Sequence, residues 1–103
     1  MILENWIEKH VKWSQETFGT WCDDNGIIDH IEKELVEITR SPGDLEEWID
    51  VIILAIDGAS RNGFSPAEIG VCLEMKRIKN ANREWNPVVP GRATEHVRTG
   101  GGL

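Results

Sequence analysis

The sequence predicts an all-α fold, and three observations support this prediction. Apolar residues recur at helical spacing through four segments, no convincing period-2 strand lies among them, and the connections between the segments are short. Short connections between long helices favour a compact bundle. At 103 residues the chain can form one hydrophobic core but not two. We therefore expect a single four-helix bundle.

The first two helices are predicted from their apolar stripes. The first extends from about residue 3 to residue 17, and a loop follows at residues 21–26. The second extends from about residue 27 to residue 40, where Ser41-Pro42-Gly43 breaks it. Each segment is long enough to bury one apolar face against a neighbouring helix.

The third and fourth helices are predicted from their start signals. Asp44 is suited to cap the third helix, which we expect to end near Arg61. The fourth begins with a capping box, in which Ser65 is the N-cap and Glu68 is the N3 residue, with proline between them at N1. Its helical pattern extends to residue 84 or 85.

The end of the chain differs in composition from the helical part. Residues 88–103 contain Pro90, Gly91 and three consecutive glycines near the C-terminus. Such a composition is typical of an irregular terminal segment. We therefore predict a single helical domain at residues 1–87 and an irregular C-terminal tail at residues 88–103.

Two pairs of acidic residues occupy helices that otherwise have the pattern of buried segments. Glu34 and Glu37 form the first pair, and Glu47 and Asp50 form the second, each at i, i+3 spacing on one helical face. A desolvated carboxylate costs several kcal/mol unless it is paired or binds a cation. Two such faces turned toward each other would supply the oxygen ligands that Mg²⁺ prefers, with Mn²⁺ as the alternative ion. This pattern predicts a metal-dependent enzyme.

Simpler explanations exist for some of these acids. Glu47 could be the N3 residue of a capping box that begins at Asp44, and its carboxylate would then satisfy only a backbone N–H. Glu34 and Glu37 could belong to a solvated charged face. The capping explanation does not extend to Asp57, which continues the acidic stripe further along the third helix.

A basic face follows on the predicted fourth helix. Lys76, Lys79, Asn80 and Arg83 lie within roughly 100° of one another around the helix axis. Cations and amide donors beside a carboxylate-bound Mg²⁺ ion are suited to a polyphosphate. The alternative is that these basic residues only favour the negative end of the helix dipole.

These motifs resemble a known group of enzymes. The ExxE pair Glu34/Glu37 followed by the ExxD pair Glu47/Asp50 is similar to the signature of the MazG-type all-α nucleoside triphosphate pyrophosphatases. Longer segments resemble the phage and prophage dATP/dGTP pyrophosphohydrolases, the MazZ-like group. These segments are residues 13–19, 26–37, 44–63, 76–85 and 95–98.

The resemblance implies a MazG-like bundle that hydrolyses dATP or dGTP between the α and β phosphates, giving a deoxynucleoside monophosphate and pyrophosphate. It also implies that Glu34, Glu37, Glu47 and Asp50 are catalytic and bind Mg²⁺. Lys76, Lys79, Asn80 and Arg83 are expected to contact the phosphates or the nucleotide. Family members of this type assemble as homodimers or homotetramers, so we expect an oligomer. The helical domain is then the catalytic domain.

The base specificity is less clear from the residues. Trp13 or Trp21 could stack on a purine, although tryptophans at helical positions more often pack in a core or an interface. One alternative is the same fold acting on dUTP, dCTP or a non-canonical nucleotide, since hydrogen bonds in the pocket decide the base. The other is a non-catalytic acidic helical protein that binds another protein.

Charge and hydropathy exclude two classes of partner. The net charge of −7 argues against a nucleic-acid backbone as partner, because phosphate backbones need a basic footprint. The longest apolar run, residues 51–56, is too short to cross a membrane.

Cys22 and Cys72 match no zinc pattern, and no signal peptide is recognisable. We expect a cytoplasmic protein with free thiols, in the host cytoplasm if a phage encodes it.

Overall fold

The computed structural model describes residues 2–98, and within them it confirms the all-α prediction. The four helices are α1 (Ile2–Phe18), α2 (Asp24–Arg40), α3 (Leu45–Arg61) and α4 (Pro66–Ala81). Over the same residues, no helix has the length and apolar character needed to cross a membrane.

Two helix boundaries differ from the predicted ones. Helix α2 begins three residues earlier than expected, since the side chain of Asp23 accepts a hydrogen bond from the Gly26 backbone N–H at 3.0 Å. Helix α4 ends at Ala81 rather than at residue 84 or 85. The predicted capping box of α4 is confirmed, with reciprocal bonds of 3.1 Å between Ser65 and Glu68.

Helices α2 and α3 form an antiparallel hairpin. At the turn, the Trp48 indole N–H donates to the backbone carbonyl of Pro42 at 3.0 Å. At the opposite end, the Asn62 side-chain amide donates to Asp24 Oδ1 at 2.8 Å, so the end of α3 meets the start of α2. These contacts fix the register in which the acidic residues of the two helices face each other.

The hydrophobic core of the first part of the chain lies where α1, α3 and the start of α4 meet. Ile7, Ile56 and Ile69 are buried there, and Val11 and Ala59 pack against them. Each of the three isoleucines comes from a different helix, and burying one such side chain contributes about 1.5–3 kcal/mol. This core holds α1 against α3.

The chain divides into two compact units, Met1–Val71 and Cys72–Leu103. The second unit contains the end of α4 and an isolated antiparallel bridge between Trp85 and His96. Residues 88–98 contain turns and bends but no helix, and residues 99–103 of the predicted tail lie outside the described residues. The division into a helical domain at residues 1–87 and a tail remains a prediction.

Candidate active site

Three of the four predicted acidic residues come together across the α2–α3 hairpin. One carboxylate oxygen from each of Glu34, Glu47 and Asp50 lies within 4.8 Å of the other two. Glu34 and Glu47 are partly buried, whereas Asp50 is exposed. Oxygen ligands on one Mg²⁺ ion lie roughly 3–4 Å from one another, so small side-chain rotations would bring this group to coordinating distance.

The electrostatics of Glu47 favour a cation at this group. Partial burial is the largest cause of a raised pKa at Glu47, and the neighbouring carboxylates of Asp44, Glu34, Glu37 and Asp50 raise it further. Like charges held close together favour uptake of a proton or of a cation. A divalent ion would relieve both the repulsion and the loss of solvation.

The capping-box explanation for Glu47 is wrong. Asp44 caps α3, because its side chain accepts from the Glu46 backbone N–H at 3.0 Å. The backbone N–H of Asp44, however, donates to the carbonyl of Ser41 at 3.1 Å and not to the Glu47 side chain. The Glu47 carboxylate is therefore available to the acidic group.

Glu37 is placed differently from the other three acids. Its carboxylate is exposed and lies 3.6 Å from the Arg40 guanidinium, one turn further along α2. It is not a member of the group of three within 4.8 Å. It nevertheless adds to the negative charge that raises the pKa of Glu47. Its predicted catalytic and metal-binding roles remain predictions.

The predicted basic face is not a single helical face. Lys76 and Lys79 lie on α4 and are exposed, but Arg83 lies beyond the end of the helix at Ala81, so its predicted helical position is wrong. Asn80 instead fixes Arg83, because the Asn80 side-chain oxygen accepts from the Arg83 guanidinium at 3.2 Å. The Asn80 carbonyl also accepts from the Trp85 indole N–H at 2.9 Å.

Comparison with known families decides between the possible functions of such a site. The family model described as dATP/dGTP pyrophosphohydrolase matches residues 6–101, nearly the whole chain. The chain belongs to this family. No curated protein and no solved structure matches it. The dATP/dGTP pyrophosphohydrolases are a MazG-like family, so the resemblance seen in the sequence motifs is confirmed and the chain is a nucleoside triphosphate pyrophosphatase.

Within this dATP/dGTP pyrophosphohydrolase, Asp57 is not part of the acidic group, although it continues the same stripe of α3. Its Oδ1 lies 2.7 Å from His10 Nε2, and its Oδ2 accepts from the Ser14 hydroxyl at 3.1 Å. Both partners come from α1. Asp57 therefore has a structural role in joining α3 to α1.

Arg61, one turn beyond Asp57, binds the connection between α1 and α2. Its guanidinium donates to the backbone carbonyls of Gly19 at 2.7 Å and Trp21 at 2.8 Å, and to the Ser14 hydroxyl at 2.9 Å. The same guanidinium lies over the Trp21 ring, 5.4 Å from its centroid. Arg61 thus holds the loop before α2, the helix that carries Glu34.

Trp13 belongs to a row of aromatic side chains along α1 that continues to its C-terminus. Trp6 stacks on His10 with ring centroids 5.2 Å apart, and Trp13 lies 5.8 Å from His10 and 5.6 Å from Phe18. Trp13 is 54 % exposed, so one part of the indole faces solvent. An exposed aromatic face is suited to stacking on a nucleobase. The predicted substrate contact of Trp13 remains a prediction.

Sequence reasoning gave no role to His30, which lies beside the acidic group. Its Nε2 is 3.4 Å from Glu34 Oε1, at i, i+4 spacing on α2. The spacing is visible in the sequence, but histidine next to a charged helical face is too common to single out a site. His30 is itself 58 % exposed, so it lies at the solvent side of the Glu34 carboxylate.

Proposed function

We propose that Glu34, Glu47 and Asp50 bind Mg²⁺ and that this site hydrolyses dATP and dGTP to the monophosphate and pyrophosphate. The observation that carries the proposal is the convergence of three carboxylate oxygens from two helices within 4.8 Å. Membership of the dATP/dGTP pyrophosphohydrolase family supports the reaction and the purine substrates.

The donor set fits a hard divalent cation. All three groups are carboxylates, the ligand type that Mg²⁺ and Mn²⁺ accept, and no thiol belongs to the group. The raised pKa of Glu47, caused first by partial burial and then by nearby carboxylates, shows that negative charge accumulates there. When bound, the ion would supply positive charge to the phosphate oxygens of the substrate.

The chain's own residues would position the attacking water. In the proposed reaction, a water oxygen forms a bond to the α phosphorus, the bond from that phosphorus to the bridging oxygen breaks, and pyrophosphate leaves. The proton lost by the water passes to a carboxylate or to solvent. We assign Glu37 to orient this water, because its exposed carboxylate lies one turn from Glu34 and outside the group of three.

Basic and aromatic residues complete the proposed substrate site. We assign Lys76, Lys79 and Arg83 to the phosphates, and Asn80 to positioning Arg83 through their 3.2 Å hydrogen bond. Charge-assisted hydrogen bonds to phosphate are roughly twice as strong as neutral ones. Trp13 would stack on the purine through its exposed indole face.

We further propose that the enzyme assembles as a homodimer or homotetramer. Among the residues that the structure describes, several large apolar side chains remain half-exposed on the α2–α3 hairpin. They include Leu35 on α2, and Trp48 and Ile52 on α3, each about half exposed. Exposed apolar patches of this kind mark interaction surfaces. Light scattering on the purified chain tests this, and a strict monomer at micromolar concentration would contradict it.

The two thiols are consistent with a cytoplasmic site of action. Cys22 and Cys72 are both free and exposed. Exposed thiols of this kind persist in reducing compartments such as the cytoplasm. We therefore propose that the enzyme acts there on deoxynucleoside triphosphates.

Hydrolysis of a panel of nucleotides in ¹⁸O-labelled water tests the proposed reaction. We expect dATP and dGTP to be the best substrates, with pyrophosphate as the product and the label in the monophosphate. Label in the pyrophosphate would show attack at the β phosphorus, and release of orthophosphate would show cleavage of a different bond. A preference for dUTP or dCTP would contradict the purine assignment, and no hydrolysis of any nucleotide with Mg²⁺ or Mn²⁺ would support the non-catalytic alternative.

A further inference from the structure

The two compact units carry charges of opposite sign. Met1–Val71 holds five basic and fifteen acidic residues, a net charge of −10, whereas Cys72–Leu103 holds six basic and three acidic residues, a net charge of +3. A cationic segment in an otherwise acidic chain concentrates positive potential locally. Such a segment is suited to a small anion.

Within the second unit, a short ladder fixes His96 against the segment that follows α4. The Val97 backbone N–H donates to the carbonyl of Glu84 at 2.7 Å, and the Asn86 N–H donates to the carbonyl of Glu95 at 3.0 Å. These bonds flank the Trp85–His96 bridge. These backbone hydrogen bonds therefore help to fix the position of His96, in addition to the contacts of its side chain.

Two ring contacts complete this arrangement. The Trp85 and His96 rings meet edge to face, with centroids 6.0 Å apart and an interplanar angle of 81°. The Trp85 indole N–H is itself held by the carbonyl of Asn80 at 2.9 Å. Since the Asn80 side chain also holds Arg83, one residue positions both the tryptophan beside His96 and a guanidinium.

Basic residues of the second unit act on the pKa of His96. Partial burial is the largest cause of a lowered pKa at His96, and Arg83, Arg98 and Lys76 lower it further, with Glu95 acting in the opposite direction. The geometry agrees with this effect, since Asn80 holds both Arg83 and Trp85, Lys76 lies one helical turn before Asn80, and Arg98 follows His96 by two residues. Like charges brought together are unfavourable unless an anion joins them.

Arg77 is not part of this cluster, although it lies next to Lys76 in the sequence. Its guanidinium forms a fork of hydrogen bonds with the Glu74 carboxylate, at distances of 2.5 to 3.1 Å. A bidentate pair of this kind satisfies both charges. By contrast, no carboxylate lies within ion-pair distance of Lys76, Arg83 or Arg98 among residues 2–98.

We propose that Lys76, Arg83, His96 and Arg98 form a binding site for the phosphates of a polyphosphate anion, and that His96 takes up a proton when the anion binds. The proposal rests on the proposed function where the anion is the triphosphate substrate, and it adds His96 and Arg98 of the tail to the substrate-binding residues. The geometric basis is the backbone ladder that holds His96 beside Trp85, together with Asn80, which holds both Trp85 and Arg83.

Proton uptake follows from the change in charge around the ring. Without an anion, partial burial and then the neighbouring cations lower the pKa of His96, which favours the neutral ring. A polyphosphate carrying several negative charges outweighs those cations and favours the protonated ring. By linkage, the anion then binds more tightly as the pH falls. The change occurs between the titration midpoint of His96 with the anion bound and its midpoint without the anion.

NMR titration of the full chain with inorganic pyrophosphate, without divalent metal, tests this site directly. The C–H resonance of His96 is assigned by its loss in His96→Gln, and its titration midpoint is measured with and without pyrophosphate. We expect pyrophosphate to move the midpoint of His96 upward by about one pH unit or more. An unchanged midpoint for His96 would overturn the proposal, as would an equal shift with the same concentration of dGMP.

Matched charge variants separate a specific site from general attraction. Arg98→Gln should weaken pyrophosphate binding roughly 5- to 10-fold, whereas Arg92→Gln, which removes the same charge elsewhere in the tail, should change it less than about twofold. Equal effects of the two variants would contradict a defined site. Because neither measurement requires turnover, a chain that binds pyrophosphate in this way but hydrolyses no nucleotide would support this site while contradicting the proposed function.

Discussion

His10 Nε2 lies 2.7 Å from Asp57 Oδ1, and this contact joins α1 to α3 beside the hydrophobic core. The two side chains are only 10 % and 16 % exposed. Ser14, 2 % exposed, donates its hydroxyl to the same carboxylate and accepts from Arg61. Asp57 follows the spacing of the acidic residues that are proposed to bind metal. It nevertheless belongs to a structural network of polar side chains.

Asp57→Ala should lower the free energy of unfolding by about 2–3 kcal/mol, because it removes two hydrogen bonds and leaves partly buried partners unsatisfied. Asp29→Ala is the matched control. Asp29 is 64 % exposed and forms an exposed ion pair with Lys33 on the same helix, so its loss should change stability by about 0.5 kcal/mol or less. Urea unfolding measures both values. Similar effects of the two substitutions would show that the network contributes little.

Glu47→Gln should stabilise the metal-free protein at neutral pH. Burial and neighbouring carboxylates raise the pKa of Glu47 in the folded state, so the folded protein binds this proton more tightly than the unfolded chain. Ionisation of Glu47 therefore lowers stability as the pH rises through the window above 4.5, the usual pKa of a glutamate carboxyl. Below that window the carboxyl is protonated in both states, and the advantage of the variant disappears.

Thermal unfolding of the wild type and Glu47→Gln at pH 7 and near pH 4 measures this difference. Mg²⁺ should raise the melting temperature of the wild type more than that of the variant, because the variant has lost one proposed ligand. A variant that is less stable than the wild type at pH 7 without metal would contradict the assigned charge repulsion.

Arg83→Ala should lower kcat/KM for dGTP by about 1.5–3 kcal/mol in transition-state free energy, or roughly 10- to 150-fold, through loss of a charge-assisted contact. Arg77→Ala is the control, since Arg77 already pairs with Glu74 and is exposed. Steady-state pyrophosphate release measures both. If Arg77→Ala were as damaging as Arg83→Ala, the effect would reflect net charge and not a specific contact.

The helices could be predicted because their signals are local. Apolar periodicity located all four, and the Ser65–Glu68 capping box fixed the start of α4 to the residue. The end of α4 could not be predicted in this way. Residues 82–85 have helical composition, but Trp85 instead donates to the Asn80 carbonyl and pairs with His96, which lies eleven positions away in the sequence.

Part of the candidate site could also be predicted, because the spacing of residues within one helix is a local signal. Spacing brings Glu47 and Asp50 onto one face of α3, and the short turn after Arg40 brings that face to Glu34. Spacing alone could not separate Asp57 from these acids, because its partners His10 and Ser14 lie more than 40 positions away in the sequence. Contacts of that separation depend on how α1 packs, which helical periodicity does not determine.

The Mg²⁺ dependence of dGTP hydrolysis in Asp50→Asn, compared with Glu46→Gln, tests the central claim most directly. Both substitutions remove one negative charge near the start of α3, but only Asp50 belongs to the group of three carboxylates. We predict that Asp50→Asn lowers kcat/KM by about 100-fold or more and requires more Mg²⁺, while Glu46→Gln stays within about twofold of the wild type. Near-native turnover of Asp50→Asn at the same Mg²⁺ concentration would contradict the proposed metal site.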